Sequence, residues 1–307
     1  MSAQSPDLTS IAFWIRLSGR AFARSWGRDV MLYTGGVAFF ALLAVFPAIA
    51  LLIGFYKIVL STGQASEQVA TLTSLVPHAA RGLFAGEVER LAGASAKAIS
   101  AQSAIALVIG AYAAHRGFKA LLAGLNLIHD EQEPHGFLKF NLLAFFVALF
   151  AFALFTAVSG AVVTSRIVSH ASESAGSIGA GGLWPTLGLW LGLTALYRYA
   201  MSHQVRVAWA PAIVGGAVAT VLSAISSWLC AIYVEQMPTF GATYGSVGAV
   251  VVLLIWLSWN INAVFYGGAF ATEMETIWRA KAIRPEPEAD PPAADVVNLQ
   301  ARRASRR

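Results

Sequence analysis

Long runs without a single Asp, Glu, Lys or Arg constrain this chain more than any other feature. Six such runs occupy residues 30–56, 98–115, 140–165, 183–197, 207–234 and 244–272. A helix needs about 20 predominantly apolar residues to cross ~30 Å of hydrocarbon. Four of the runs meet that length; the second and fourth are shorter and would draw on neighbouring polar residues buried within a bundle. Backbone polar groups in hydrocarbon must be satisfied internally, which leaves helices or closed barrels. The runs lack the two-residue alternation of barrel strands. The expected fold is therefore all-α: a polytopic membrane helix bundle with six transmembrane helices.

Composition agrees. Of 307 residues, 57% are hydrophobic and 12% charged, whereas soluble domains carry about 25% charged residues. The formal net charge of +5 would raise the question of a nucleic-acid partner in a soluble protein. Here no basic stretch is interleaved with stacking aromatics, so none is expected. The basic residues instead follow topology. With the N-terminus inside, segments 1–29, 115–139, 198–206 and 273–307 carry sixteen Lys and Arg, against five in 57–97, 166–182 and 235–243. That asymmetry places both termini in the cytoplasm. Residues 1–29 are too rich in arginine and too interrupted for a signal-peptide core. Cys230 is the sole cysteine, which excludes an internal disulfide and a thiolate metal cluster.

Three segments flank or interrupt the spans. Residues 1–29 read as a basic amphipathic helix at the membrane interface, in which Arg16, Arg20, Arg24 and Arg28 recur every fourth residue. Such a stripe serves as a topology anchor or as a contact for anionic lipid. Residues 65–96 show apolar positions at three-to-four spacing and read as an amphipathic segment on the outer face. Residues 276–307 are Pro-rich and mixed in charge and read as a disordered cytoplasmic tail, leaving 30–275 as the transmembrane domain.

Candidate chemistry is sparse. The stretch from His129 to His135 packs two imidazoles and three carboxylates together, but with no metal-binding spacing, and Pro134 breaks any helix that would align them. No nucleotide-binding loop or nucleophile motif occurs in a convincing context. Catalytic residues, metal and cofactor are all expected to be absent. Polar residues inside the spans are more informative, because burying them costs free energy unless they are paired or hydrated. The sixth run holds Trp256, Ser258, Trp259, Asn260, Asn262 and Tyr266. They read either as a hydrated path between helices or as interhelical hydrogen bonds. Arg116 and Lys119 close the second run near Asn126; they would receive an anionic head group or snorkel to the interface. Gly188 and Gly192 form a GxxxG pattern in the fourth run, which permits close helix contact.

Four stretches resemble the YihY/BrkB family of bacterial inner-membrane proteins. They are GGVAFFALLAVFPAIALLIG with Pro47; AAHRGFKALLAGLNLIHDEQEP with Arg116, Gly117, Phe118 and Asn126; WAPAIVGGAVATVLSAISSWLCAIYV with Pro211, Gly215 and Gly216; and TYGSVGAVVVLLIWLSWNINAVFYGGAF with Thr243, Tyr244, Gly245, Ser246 and Trp256. The family commonly closes its last span with Gly-Ala-Glu. This chain has Gly267-Gly268-Ala269-Phe270 there, with acids at Glu273 and Glu275.

The resemblance implies a six-span protein of the bacterial inner membrane. The family has carried a ribonuclease label, for which this chain shows no constellation of metal-holding residues. Members have also been linked to serum resistance and lipid export, so the resemblance implies movement of a lipid or other amphiphile. The expected substrate path is Arg116, Lys119, Asn126, Tyr244, Trp256, Asn260 and Asn262, and the expected partners are membrane lipids. Two alternatives stand beside transport: a scaffold that organises envelope proteins or copies of itself, and, more remotely, a membrane-embedded hydrolase or nuclease.

Overall fold

The computed structural model describes residues 10–27, 30–59, 96–129, 137–171, 180–201, 206–235 and 239–282. Among them every regular element is a helix: α1 (Ile11–Trp26), α2 (Val30–Val59), α3 (Ala96–Ile128), α4 (Phe137–Ala171), α5 (Ala180–Ala200), α6 (Trp209–Glu235) and α7 (Thr239–Ala282). Four carry windows long and apolar enough to cross a membrane: Val30–Ala48, Leu138–Ala161, Trp209–Val234 and Val247–Ala280. Each overlaps one of the four runs that reach full spanning length in the sequence. The described part of α3 is interrupted by His115, Arg116, Lys119 and Asn126, and α5 falls short through its small and polar residues. Of the segment 65–96, residues 65–95 lie outside the described residues and Ala96 opens α3. At the other end α7 continues to Ala282, past the boundary at 275 read from the sequence, with an ion pair one turn apart between Glu275 and Arg279 at 2.7 Å.

The helices form a closed circuit. Each of α2 to α6 packs on its successor, and α7 returns to α2. Helix α7 also touches α3 and α5 and carries α1 on its flank, so it is the common contact of the bundle. Small residues make that possible. A methyl group built on Gly267 would stand 2.7 Å from the Gly215 carbonyl of α6 and 2.8 Å from the Tyr197 hydroxyl of α5. On Gly268 it would meet Leu125 of α3 at 2.7 Å. Three helices therefore close on one turn of α7, and Phe265, Ala269, Phe270 and Ala271 are buried with it. A helix stretch that is apolar on all sides belongs in an interior.

Other special residues take local roles. Pro211 lies in the first turn of α6, where a missing N–H costs nothing. Pro47 lies within α2, and Gly110 of α3 fits against its ring. Gly188 and Gly192 of α5 face Val158 and Leu154 of α4, so that GxxxG face is used inside the chain. Large apolar side chains along the four spans, among them Phe145, Phe146, Leu149, Val221 and Trp228, face outward. Water would penalise that surface, whereas hydrocarbon accepts it.

Candidate functional site

Polar groups gather at two places. The first is the end of the bundle where α1 crosses α7. Glu273 is 8% exposed and accepts from Arg24 Nε at 2.8 Å, with Arg20 Nε 3.4 Å from its other oxygen. Arg24 Nη1 also donates to the carbonyl of Ile128 at 2.9 Å. Ile128 ends α3, so this fills one of the carbonyls that a helix C-terminus leaves without an intrahelical donor. One arginine thus ties α1 to both α7 and α3. Beside it, His129 Nδ1 lies 2.9 Å from the Thr272 hydroxyl, which is itself 3.0 Å from the Gly268 carbonyl. A hydroxyl has one proton; given to Gly268, it leaves His129 Nδ1 as the donor to Thr272. Glu275 accepts from the backbone N–H of Ala208, just before α6, at 3.0 Å, which sets a carboxylate at that helix N-terminus.

The second place lies deeper, between α2, α3 and α4. His115 and Lys119 are one helical turn apart and share a face of α3. His115 Nε2 and Lys119 Nζ both reach Asn141 Oδ1 of α4, at 3.3 and 3.1 Å. Lys119 Nζ also stands 5.7 Å from the centre of the Phe140 ring. Arg116, a third of a turn round from His115, is exposed and lies 5.7 Å from the Phe40 ring of α2. A cation over an aromatic face is stabilised by the ring quadrupole, more so where water is scarce. The patch is electropositive and suits an anionic group.

The remaining sequence candidates spread around α7. Trp256 Nε1 donates to Ser227 of α6 at 3.0 Å, and Asn262 accepts from Thr34 of α2 at 2.9 Å. Asn260 donates to the carbonyl of Trp256 in its own helix at 2.8 Å. Tyr266 donates to the Ser18 carbonyl of α1 at 3.2 Å. These groups therefore point toward three different helices, while Lys119 points toward α4. Asn126 is 2% exposed, and among the described residues neither polar atom of its side-chain amide has a hydrogen-bond partner. Tyr244 lies in the second turn of α7, with its side chain outside the described residues. Of the basic stripe, Arg24 and Arg20 engage Glu273, Arg16 donates to the Ala12 carbonyl one turn back, and Arg28 lies outside the described residues.

Asn141, Thr34 and Tyr197 do not stand out in the sequence, because each is a lone polar residue in an apolar run. Glu273 could have been found, as an acid shortly after the longest charge-free run with arginines four apart elsewhere in the chain. Among the described residues no group of three or more His, Cys, Asp or Glu is placed to hold a metal ion. Residues 130–135 of the acidic and histidine-bearing stretch lie outside them.

Apolar outward-facing helices of spanning length, joined by buried polar contacts, define an integral membrane protein. The family model of virulence factor BrkB matches residues 21–292, and the chain belongs to that family. It is 26% identical over 255 residues to the ribonuclease-like protein YfkH of Bacillus subtilis, covering 76% of this chain and 85% of that one. It is 30% identical over 99 residues to a UPF0761 membrane protein of Nitrosospira multiformis, covering 32% of this chain and 22% of that one. A UPF0761 membrane protein of Idiomarina loihiensis is 28% identical over 139 residues, 43% of this chain and 46% of its own length. No solved structure matches the chain.

Proposed function

We propose that this protein moves a lipid or other amphiphile across the bacterial inner membrane, as a non-enzymatic six-span bundle with both termini in the cytoplasm. The observation that carries the reading is the group of His115, Arg116, Lys119 and Asn141 set among apolar helices. Ionisable residues at membrane depth are costly and mark the passage or binding of polar groups. Six spans follow if α3 and α5 cross as well. Their 33 and 21 residues correspond to about 50 and 31 Å of helix, enough for ~30 Å of hydrocarbon. In the circuit α3 packs against α2 and α4, and α5 against α4 and α6, which covers part of each helix. The excess of Lys and Arg in segments 1–29, 115–139, 198–206 and 273–307 supports the inside placement of both termini.

Translocation of labelled phospholipid in proteoliposomes tests the reading, with wild type compared with Arg116→Ala, Lys119→Ala and Asn260→Leu. Loss of translocation in folded Arg116→Ala and Lys119→Ala locates the path at α3. Retention in Asn260→Leu is expected, because that amide bonds only within its own helix turn. No translocation by folded wild type refutes transport and turns attention to the scaffold reading. The GxxxG face of α5 lends that alternative no support, being occupied by α4.

A further inference from the structure

We propose that the inner ends of α5 and α6 hold the phosphate of an anionic phospholipid from the adjoining leaflet, between Arg198 and Arg206 and beside Tyr199 and Trp209. Arg198 lies in the last turn of α5 and donates through Nη1 to the carbonyl of Val207, across the connection to α6. Its guanidinium carbon stands 5.0 Å from the Trp209 ring centre and 5.9 Å from that of Tyr199. Arg206 stands 5.5 Å from the same Tyr199 ring. The two rings meet edge to face at 6.1 Å. Two like charges therefore share one aromatic side chain.

Among the described residues no carboxylate balances them. The described helices include three acidic positions, Glu235, Glu273 and Glu275. Glu235 ends α6, which is 27 residues long, so it lies about 40 Å from this corner. Glu273 is taken by Arg20 and Arg24, and Glu275 by Arg279 and the Ala208 N–H. Among the described residues neither Arg198 nor Arg206 has an ion-pair partner, and Arg198 Nε is a buried donor with no acceptor. A guanidinium packed against aromatic rings presents a planar fork of donors, the geometry that suits phosphate oxygens.

The surroundings favour a lipid over a free anion. Tyr199 and Trp209 are both about half exposed at the end of spanning helices, where amphipathic rings sit at head-group level. Away from them, α6 exposes Ile213, Val221 and Ile225, and α5 exposes Leu191, a surface that acyl chains would cover. None of these residues belongs to the path proposed above. Equilibrium binding can therefore fail or succeed whatever the outcome of a translocation assay.

The test is native mass spectrometry of the full chain after exchange into detergent micelles holding equal amounts of phosphatidylglycerol and phosphatidylcholine. Phosphatidylglycerol should be retained on the order of tenfold over phosphatidylcholine, and that preference should fall on the order of tenfold in Arg206→Gln. Arg206 is exposed, so its replacement leaves the fold intact. Arg198→Lys, which keeps the charge and loses the fork, should fall to an intermediate value, while Arg16→Gln should retain the wild-type preference. Equal retention of the two lipids by wild type overturns the proposal, as does an unchanged preference in Arg206→Gln. Displacement of the lipid by millimolar inorganic phosphate also overturns it, in favour of a free-anion site.

Discussion

Replacing Glu273 by Gln and Arg24 by Gln, singly and together, measures how firmly α1 is fastened to the bundle. The pair is only partly shielded: the Arg24 side chain is 23% exposed and that of Glu273 11%. Breaking a fully buried pair costs about 3–5 kcal/mol, and an exposed pair contributes about 0–1 kcal/mol. Geometry at 2.8 Å and limited exposure put the coupling between those limits, at about 2 kcal/mol. Arg24 also holds the Ile128 carbonyl, so Arg24→Gln alone should cost about 1 kcal/mol beyond the pair. That extra loss cancels in the double-mutant cycle, because it does not depend on Glu273. The corresponding cycle with Arg20, 55% exposed and 3.4 Å away, should give under about 1 kcal/mol. Denaturant unfolding in a single detergent, followed by tryptophan fluorescence, provides the free energies. Trp14 stacks on Phe270 at 6.2 Å and so reports whether α1 has left α7. A coupling below about 0.5 kcal/mol for Arg24 and Glu273 would refute the view that this pair fastens α1.

Other consequences follow from close approach and burial. Gly215→Ala sets a methyl 2.7 Å from both the Gly267 carbonyl and Ala271, which backbone cannot yield cheaply, and should destabilise by about 1–3 kcal/mol in unfolding measurements. Gly36→Ala meets nothing within 4 Å and should be neutral or stabilising by up to about 1 kcal/mol, through helix propensity. Tyr197→Phe removes the bond to the Val264 carbonyl at 2.6 Å and should cost about 1 kcal/mol by the same assay. Cys230 is fully buried, so the native chain should resist a membrane-impermeant maleimide. A Ser10→Cys variant should label in inside-out vesicles and stay unlabelled in right-side-out ones, and the opposite pattern would reverse the proposed orientation.

Membrane residence, helical class and the four strongest spans were legible because each rests on a property of consecutive residues. A charge-free run of spanning length has few alternatives in hydrocarbon, whatever surrounds it. Local spacing also showed that Arg16, Arg20 and Arg24 share a face, that Arg116 and Lys119 interrupt α3, and that Gly188 and Gly192 allow close contact. What those faces meet depends on distant residues. Arg24 finds its acid 249 positions later in the chain, which turns part of a stripe suited to lipid into a clasp on α7. Lys119 finds Asn141 only because α3 and α4 lie side by side. The glycine pair of α5 could have served a second copy of the chain, but Val158 and Leu154 of α4 fill it. Arg198 and Arg206 share Tyr199 because the end of α5 and the start of α6 lie side by side. Periodicity places side chains on a helix face; only the arrangement of helices around α7 decides which face is lipid, which is protein and which charges go unmatched.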